Sequence, residues 1–132
     1  MRPLIVTEAD FANLSLLNAP ALRRRLANAR RVWSDAMSPD VVTMNSRVVC
    51  TDVASGQRRI LSVVYPDDAD PSAGRMSVVT EAGMTLLGAS PQQLIEWRRA
   101  DGSLERIRVE AIAYQPEQDL RNKLIFPPGP AA

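Results

Sequence analysis

The stretch Pro39-Asp40-Val41-Val42-Thr43-Met44-Asn45-Ser46-Arg47-Val48-Val49-Cys50 is where the chain changes its period. Val42, Met44, Val48 and Cys50 alternate with Thr43, Asn45, Arg47 and Val49. A period of two sends neighbouring side chains to opposite faces, so the segment predicts a half-buried strand with Cys50 on its inward face. Ser38-Pro39-Asp40, just before it, predicts a boundary between two parts of the chain.

Downstream the same period continues. Ser55-Gly56 signals a turn, and Leu61, Val63 and Tyr65 alternate in a second strand. Pro66 to Gly74 reads as a polar loop, and Met76 and Val78 predict a short third strand. Thr80 to Gly88 predicts one short helix, with Thr80 as N-cap, Glu81 in the first turn and Gly88 as the stop. Ile95 and Trp97 alternate in a fourth strand. Asp101-Gly102 is a hairpin turn, and Ile107, Val109 and Ala111 form a fifth strand running toward Tyr114. Residues 39–117 therefore predict a mostly antiparallel β domain with one helix, an α+β fold. Residues 118–132, ending in Pro127-Pro128-Gly129-Pro130, read as a flexible proline-rich tail.

Upstream the period is helical. Thr7 is a candidate N-cap with Glu8 and Asp10 in the first turn, and Phe11, Leu14 and Leu17 share one face. Asn18-Ala19-Pro20 breaks that helix. A second helix is expected from about Pro20 to Asp35, with Leu22, Leu26, Ala29 and Trp33 as its apolar stripe. Residues 1–38 thus predict a short antiparallel helical hairpin, with Trp33 closing its base against the β domain.

Composition narrows the chemistry. The chain has 132 residues, 45% of them hydrophobic and 23% charged, enough for one domain with a modest core. The net charge of +1 gives no overall basic excess for gripping nucleic acid, so no direct sequence-specific nucleic-acid binding is expected. Cys50 is the single cysteine, which excludes an internal disulfide and, with no secretory or membrane-spanning segment evident, predicts a cytoplasmic protein, and a monomer is expected. There is no histidine, so histidine-based zinc sites and Ser-His-Asp or Cys-His catalysis are excluded. No phosphate-binding glycine loop is present. A non-enzyme without cofactor or metal is expected.

Three features invite a site reading. Asp67, Asp68 and Asp70 supply hard oxygen ligands, but the loop lacks a twelve-residue calcium frame and reads as a solvated acidic loop. Arg23, Arg24 and Arg25 point three ways around a helix, so a basic contact surface there needs Arg30 and Arg31 as well. Trp33 and Trp97 suit interface anchoring, yet both fall on apolar stripes and read as core.

Val41-Val42-Thr43-Met44-Asn45-Ser46-Arg47-Val48, Val64-Tyr65-Pro66 and Tyr114-Gln115-Pro116-Glu117 resemble segments of the regulator of nucleoside diphosphate kinase (Rnk) family. Met76-Ser77-Val78-Val79-Thr80-Glu81-Ala82-Gly83-Met84-Thr85-Leu86-Leu87-Gly88 resembles the signature that this family shares with the Gre transcript-cleavage factors. The similarity runs from about Asp40 to Glu117. It implies a Gre C-terminal-type domain with an FKBP-like sheet, docking on RNA polymerase at the rim of its secondary channel. Val79, Thr80, Glu81 and Met84 are the implied contact residues, joined by Arg23 and Arg24 on the hairpin. Glu81 stands where such sequences often carry proline.

Gre factors bear acidic residues at the tip of a long hairpin, where they help hold a catalytic Mg²⁺. Here the predicted tip, Leu16-Leu17-Asn18-Ala19-Pro20-Ala21, has no carboxylate, and metal coordination needs ligand oxygens at bonding distance. The expected activity is therefore a non-catalytic transcription regulator that competes with Gre-type factors without stimulating cleavage. The alternatives are a module of the same fold acting on a non-polymerase partner, such as nucleoside diphosphate kinase regulation, and a prolyl isomerase suggested by the sheet alone.

Overall fold

A computed structural model describes residues 3–125 of the chain. Its centre is a five-stranded sheet in the order β5-β4-β3-β7-β6, built from β3 (Arg47–Asp52), β4 (Arg58–Val64), β5 (Arg75–Ser77), β6 (Leu94–Arg98) and β7 (Leu104–Tyr114). The alternating residues Val48, Cys50, Leu61, Val63, Ile95, Trp97, Ile107 and Val109 are all buried on one face. The opposite face carries exposed Arg58, Ile60, Arg106 and Arg108.

Three of the four strand pairings are antiparallel. The fourth, between β4 and β5, is parallel. The reason lies in residues 66–74, which form two 3-10 turns, Pro66–Asp68 and Pro71–Ala73, and carry the chain back before β5 begins. Gly74 closes this crossover at φ +81°, and a Cβ there would lie 2.3 Å from the carbonyl oxygen of Ile60. The sheet is mixed: mostly antiparallel, as expected, with one parallel pair at its β5 edge.

The N-terminal region differs more. Thr7 caps α1 (Glu8–Leu14) as expected, its hydroxyl accepting from Asp10 N at 3.0 Å. However, α2 spans only Pro20–Ala27, and Arg30–Val32 form β2, paired in parallel with β1 (Ile5–Thr7). The extended path of β2 takes over beyond Asn28, the C-cap, and Arg30 N donates to Leu4 O at 2.7 Å. A strand has period two, so Trp33 leaves the Leu22–Leu26 stripe. It is 71% exposed, and core packing at this position is corrected accordingly. Arg31 ties β2 to α1, pairing with Glu8 at 2.7 Å and stacking over Phe11 at 4.0 Å.

Nor do the two helices stand apart from the sheet. Leu14, Leu22 and Leu26 belong to the same hydrophobic cluster as Val42, Leu61, Leu86 and Val109. The break near Ser38 interrupts secondary structure but not the core.

At the other end, Pro116 opens α4 (Pro116–Ile125), so residues 118–125 are helical where a tail was expected. Glu117 and Asp119 sit in its first turn, where they favour the helix dipole. Arg121 donates to the carbonyls of Asp35 at 2.7 Å and Met37 at 3.0 Å, fastening α4 to the 3-10 turn Ser34–Ala36. The Gln115 amide donates to Ser38 O and Val41 O at 2.7 and 2.8 Å. Pro127-Pro128-Gly129-Pro130 lies outside the described residues.

Candidate docking cleft beside the third helix

The helix α3 (Glu81–Leu86) lies on the buried face of the sheet and packs against β4, β5 and β6. Thr80 starts it. Its hydroxyl donates to Ser77 O at 2.6 Å and accepts from Gly83 N at 3.1 Å. Gly83 permits the close seat: a Cβ there would meet Ser77 O at 2.0 Å. Ala82 and Leu86 point into the core, and the other side of the helix faces outward.

The residues expected to make contact are brought together here in part. Val79 is 38% exposed, and Thr80 and Glu81 are exposed beside it. Met84 is half-buried one turn further on. The Glu81 carboxylate accepts a hydrogen bond from Arg98 N at the end of β6, so the residue that replaces proline clamps α3 to the sheet edge. Thr85 donates its hydroxyl to Glu81 O at 2.7 Å.

Between α2, α3 and β6 runs a cleft of about 540 Å³. Pro3 and Ala21 form one side, and Met84, Leu94 and Ile95 form the other. Arg25 reaches across, its guanidinium donating to the Met84 carbonyl and so joining α2 to α3. Burial lowers the Arg25 pKa. Arg23 and Arg24 are exposed on the same helix but do not line the cleft. Sequence reasoning placed Arg25 with them as part of one basic run. Its spacing does separate it, because it lies at i+3 from Leu22 and next to Leu26, on the flank of the buried stripe.

A second titratable group lies at the junction of α1, α4 and the chain before β3. Thr43 donates its hydroxyl to Glu117 at 2.6 Å. Asp10 sits close by, and burial together with the Glu117 charge pushes its pKa up to about 6. Tyr65, also there, is pushed up to about 12 by burial and then by the Asp10 charge. The acidic loop behaves differently: Asp70 accepts from Ser72 at 2.6 Å and pairs with Arg75 at 3.4 Å, and its pKa is lowered. Cys50 is fully buried, which raises its thiol to about 12 and leaves it without thiolate character.

Residues 37–114, which hold the sheet and α3, match the family described as transcription elongation factor, GreA/GreB, C-term. Over 114 residues the chain is 32% identical to the regulator of nucleoside diphosphate kinase of Escherichia coli, covering 86% of this chain and 82% of that one. The chain belongs to the Rnk family and carries its Gre C-terminal domain.

A solved relative of this Rnk-family chain, the prokaryotic transcription elongation factor GreA/GreB from Nitrosomonas europaea, is 30% identical. It superposes with a TM-score of 0.72 over 86% of this chain and all of its own. The transcription elongation factor GreA of Desulfovibrio desulfuricans is 34% identical over 67 residues, which is 51% of this chain and 41% of that protein. These relatives bear the names of regulators and elongation factors rather than of catalysts. Among the described residues no helix is long and apolar enough to cross a membrane.

Proposed function

We propose that this Rnk-family chain is a non-catalytic regulator that binds bacterial RNA polymerase at the rim of its secondary channel. The observation that carries the reading is the exposed edge Val79-Thr80-Glu81 at the head of α3, on a domain of the Gre type. The implied contact residues sit on a helix anchored to the sheet through Thr80, Gly83 and Glu81, so the edge is presented in a fixed geometry.

The N-terminal region supports occupancy of the site without cleavage. The connection between α1 and α2, residues 15–19, contains no carboxylate. The helices have 7 and 8 residues, so at about 1.5 Å per residue each spans only some 10–12 Å. Both bury leucines in the common core and do not project as an arm. A protein of this shape competes with Gre-type factors by mass action and lends no metal ligands to the polymerase.

Purified chain mixed with core RNA polymerase should be retained in a pull-down at micromolar concentration. An excess of Gre factor should displace it, and stalled complexes should show no added transcript cleavage. Retention that excess Gre factor leaves unchanged would sink the reading. The name of the Escherichia coli relative favours a second reading, regulation of nucleoside diphosphate kinase through a non-polymerase partner. Cross-linking that recovers such a partner in place of polymerase would select it.

A further inference from the structure

Arg25 is a partly buried cation with no counterion among the described residues. Among the described residues no carboxylate oxygen lies within 4.0 Å of its guanidinium. Among the described residues its guanidinium donates to a neutral acceptor, Met84 O, and a guanidinium has further N–H donors. Glu81 lines the same cleft, but its carboxylate is turned to Arg98 N. A half-buried guanidinium gains from a carboxylate held in the same partly apolar surroundings.

The walls around Arg25 are mostly apolar. Ala21, Met84, Leu94 and Ile95 line about 540 Å³ of open cleft, and Leu94 remains 51% exposed at its mouth. Thr85 and Gln93 add neutral polar groups to the lining, so among the described residues Arg25 is its one cation, and such a site suits an apolar body that carries a complementary negative charge. The cleft is continuous with the α3 edge, because Glu81 and Met84 belong to both. Pro3 and, on α2, Ala21 and Arg25 line it from outside the Gre-type domain of residues 37–114.

We infer that this cleft receives a large apolar side chain flanked by a carboxylate from the polymerase surface, with the carboxylate pairing with Arg25. The inference rests on the polymerase-docking reading and adds α2 to the docking surface. Arg25 then acts as a specificity residue: it selects an acidic partner position that a Gre-type domain lacking α2 has no means to read.

The test is the affinity of fluorescently labelled chain for core RNA polymerase, measured at two salt concentrations. Arg25→Met keeps the length and apolar stem but removes the charge, and should weaken binding about tenfold while flattening the salt dependence. Arg25→Lys keeps the charge and should lose less. Leu94→Asp puts a carboxylate on the cleft wall at an exposed position, and should also weaken binding about tenfold. Arg58→Glu, on the far face of the sheet, should stay within about twofold of wild type. If Arg25→Met does not fold, Leu94→Asp decides alone. Binding by both cleft variants within about twofold of wild type would overturn the inference and leave the polymerase reading standing. A wild-type chain that does not bind overturns both.

Discussion

Asp10 on α1 and Glu117 on α4 lie close enough in a shared half-buried junction for the Glu117 charge to oppose ionisation of the Asp10 carboxyl. Thr43 holds Glu117 in place from the chain before β3, at 2.6 Å. Burial is the larger cause of the raised Asp10 pKa, and the Glu117 charge comes second.

A pH dependence follows. Asp10 titrates at about 6 when folded, against an ordinary value of 3.8. Between these values the folded carboxyl holds its proton while the unfolded one has lost it. This contribution is therefore most favourable below about pH 4, declines to about pH 6 and is level above. Other carboxylates titrate in the same range, so the clean quantity is the difference between variant and wild type. Asp10→Asn should gain about 1–2 kcal/mol relative to wild type on going from pH 4 to pH 8. Urea unfolding at the two pH values checks this, and an unchanged difference would contradict it.

Glycine 83 tests the seat of α3. Alanine is the better helix former, yet its Cβ would meet Ser77 O at 2.0 Å and Val78 Cα at 2.9 Å. Gly83→Ala should lower stability by about 2–3 kcal/mol, because backbone rather than a flexible side chain must yield. Gly56→Ala is the comparison. Nothing lies within 4 Å of its Cβ, and only its φ of +75° is unfavourable, costing about 1 kcal/mol. Equal costs in chemical denaturation would mean that the contact with Ser77 is not what fixes α3.

The head of α3 makes a separate prediction. Thr80→Ala removes the cap on Gly83 N and should cost about 1–2 kcal/mol, with Thr80→Ser retaining most of it. Glu81→Pro restores the residue that the family often carries. Proline suits the first helical position, so the change should cost no more than about 1 kcal/mol, the value of the lost bond to Arg98 N. Thermal melts of the three variants rank them.

Leu26 and Trp33 distinguish the helix expected from the one found. Leu26 is 4% exposed within the common core, and Leu26→Ala should cost about 2–5 kcal/mol in a single cooperative transition. Trp33→Ala should change stability by less than about 0.5 kcal/mol, because the side chain is 71% exposed. A large loss at Trp33 would restore the long amphipathic helix and its stripe.

What the sequence determined alone is local. Period-two alternation located the inward residues of β3, β4 and β6 and, in β7, Ile107 and Val109, because a strand's two faces are set by its own backbone, while Ala111, past a register shift in the pairing with β3, is exposed. Thr7 and Thr80 were legible as caps because each bonds to a backbone N–H three residues on. The absence of histidine limited the chemistry without any fold at all. What the tertiary structure decided lies between residues far apart in sequence. It turned β5 parallel to β4, drew β2 against β1 and so stripped Trp33 from the core, and ordered α4 through the reach of Arg121 to residues 35 and 37. Spacing sets Arg25 apart from Arg23 and Arg24 on the flank of the Leu22–Leu26 stripe, but only the approach of α2 to α3 supplies the Met84 carbonyl that it meets. Periodicity reports which side of an element is apolar. Which surface comes to meet it, and which charge is caught between them, depends on contacts that close long loops and leave no local mark in the chain.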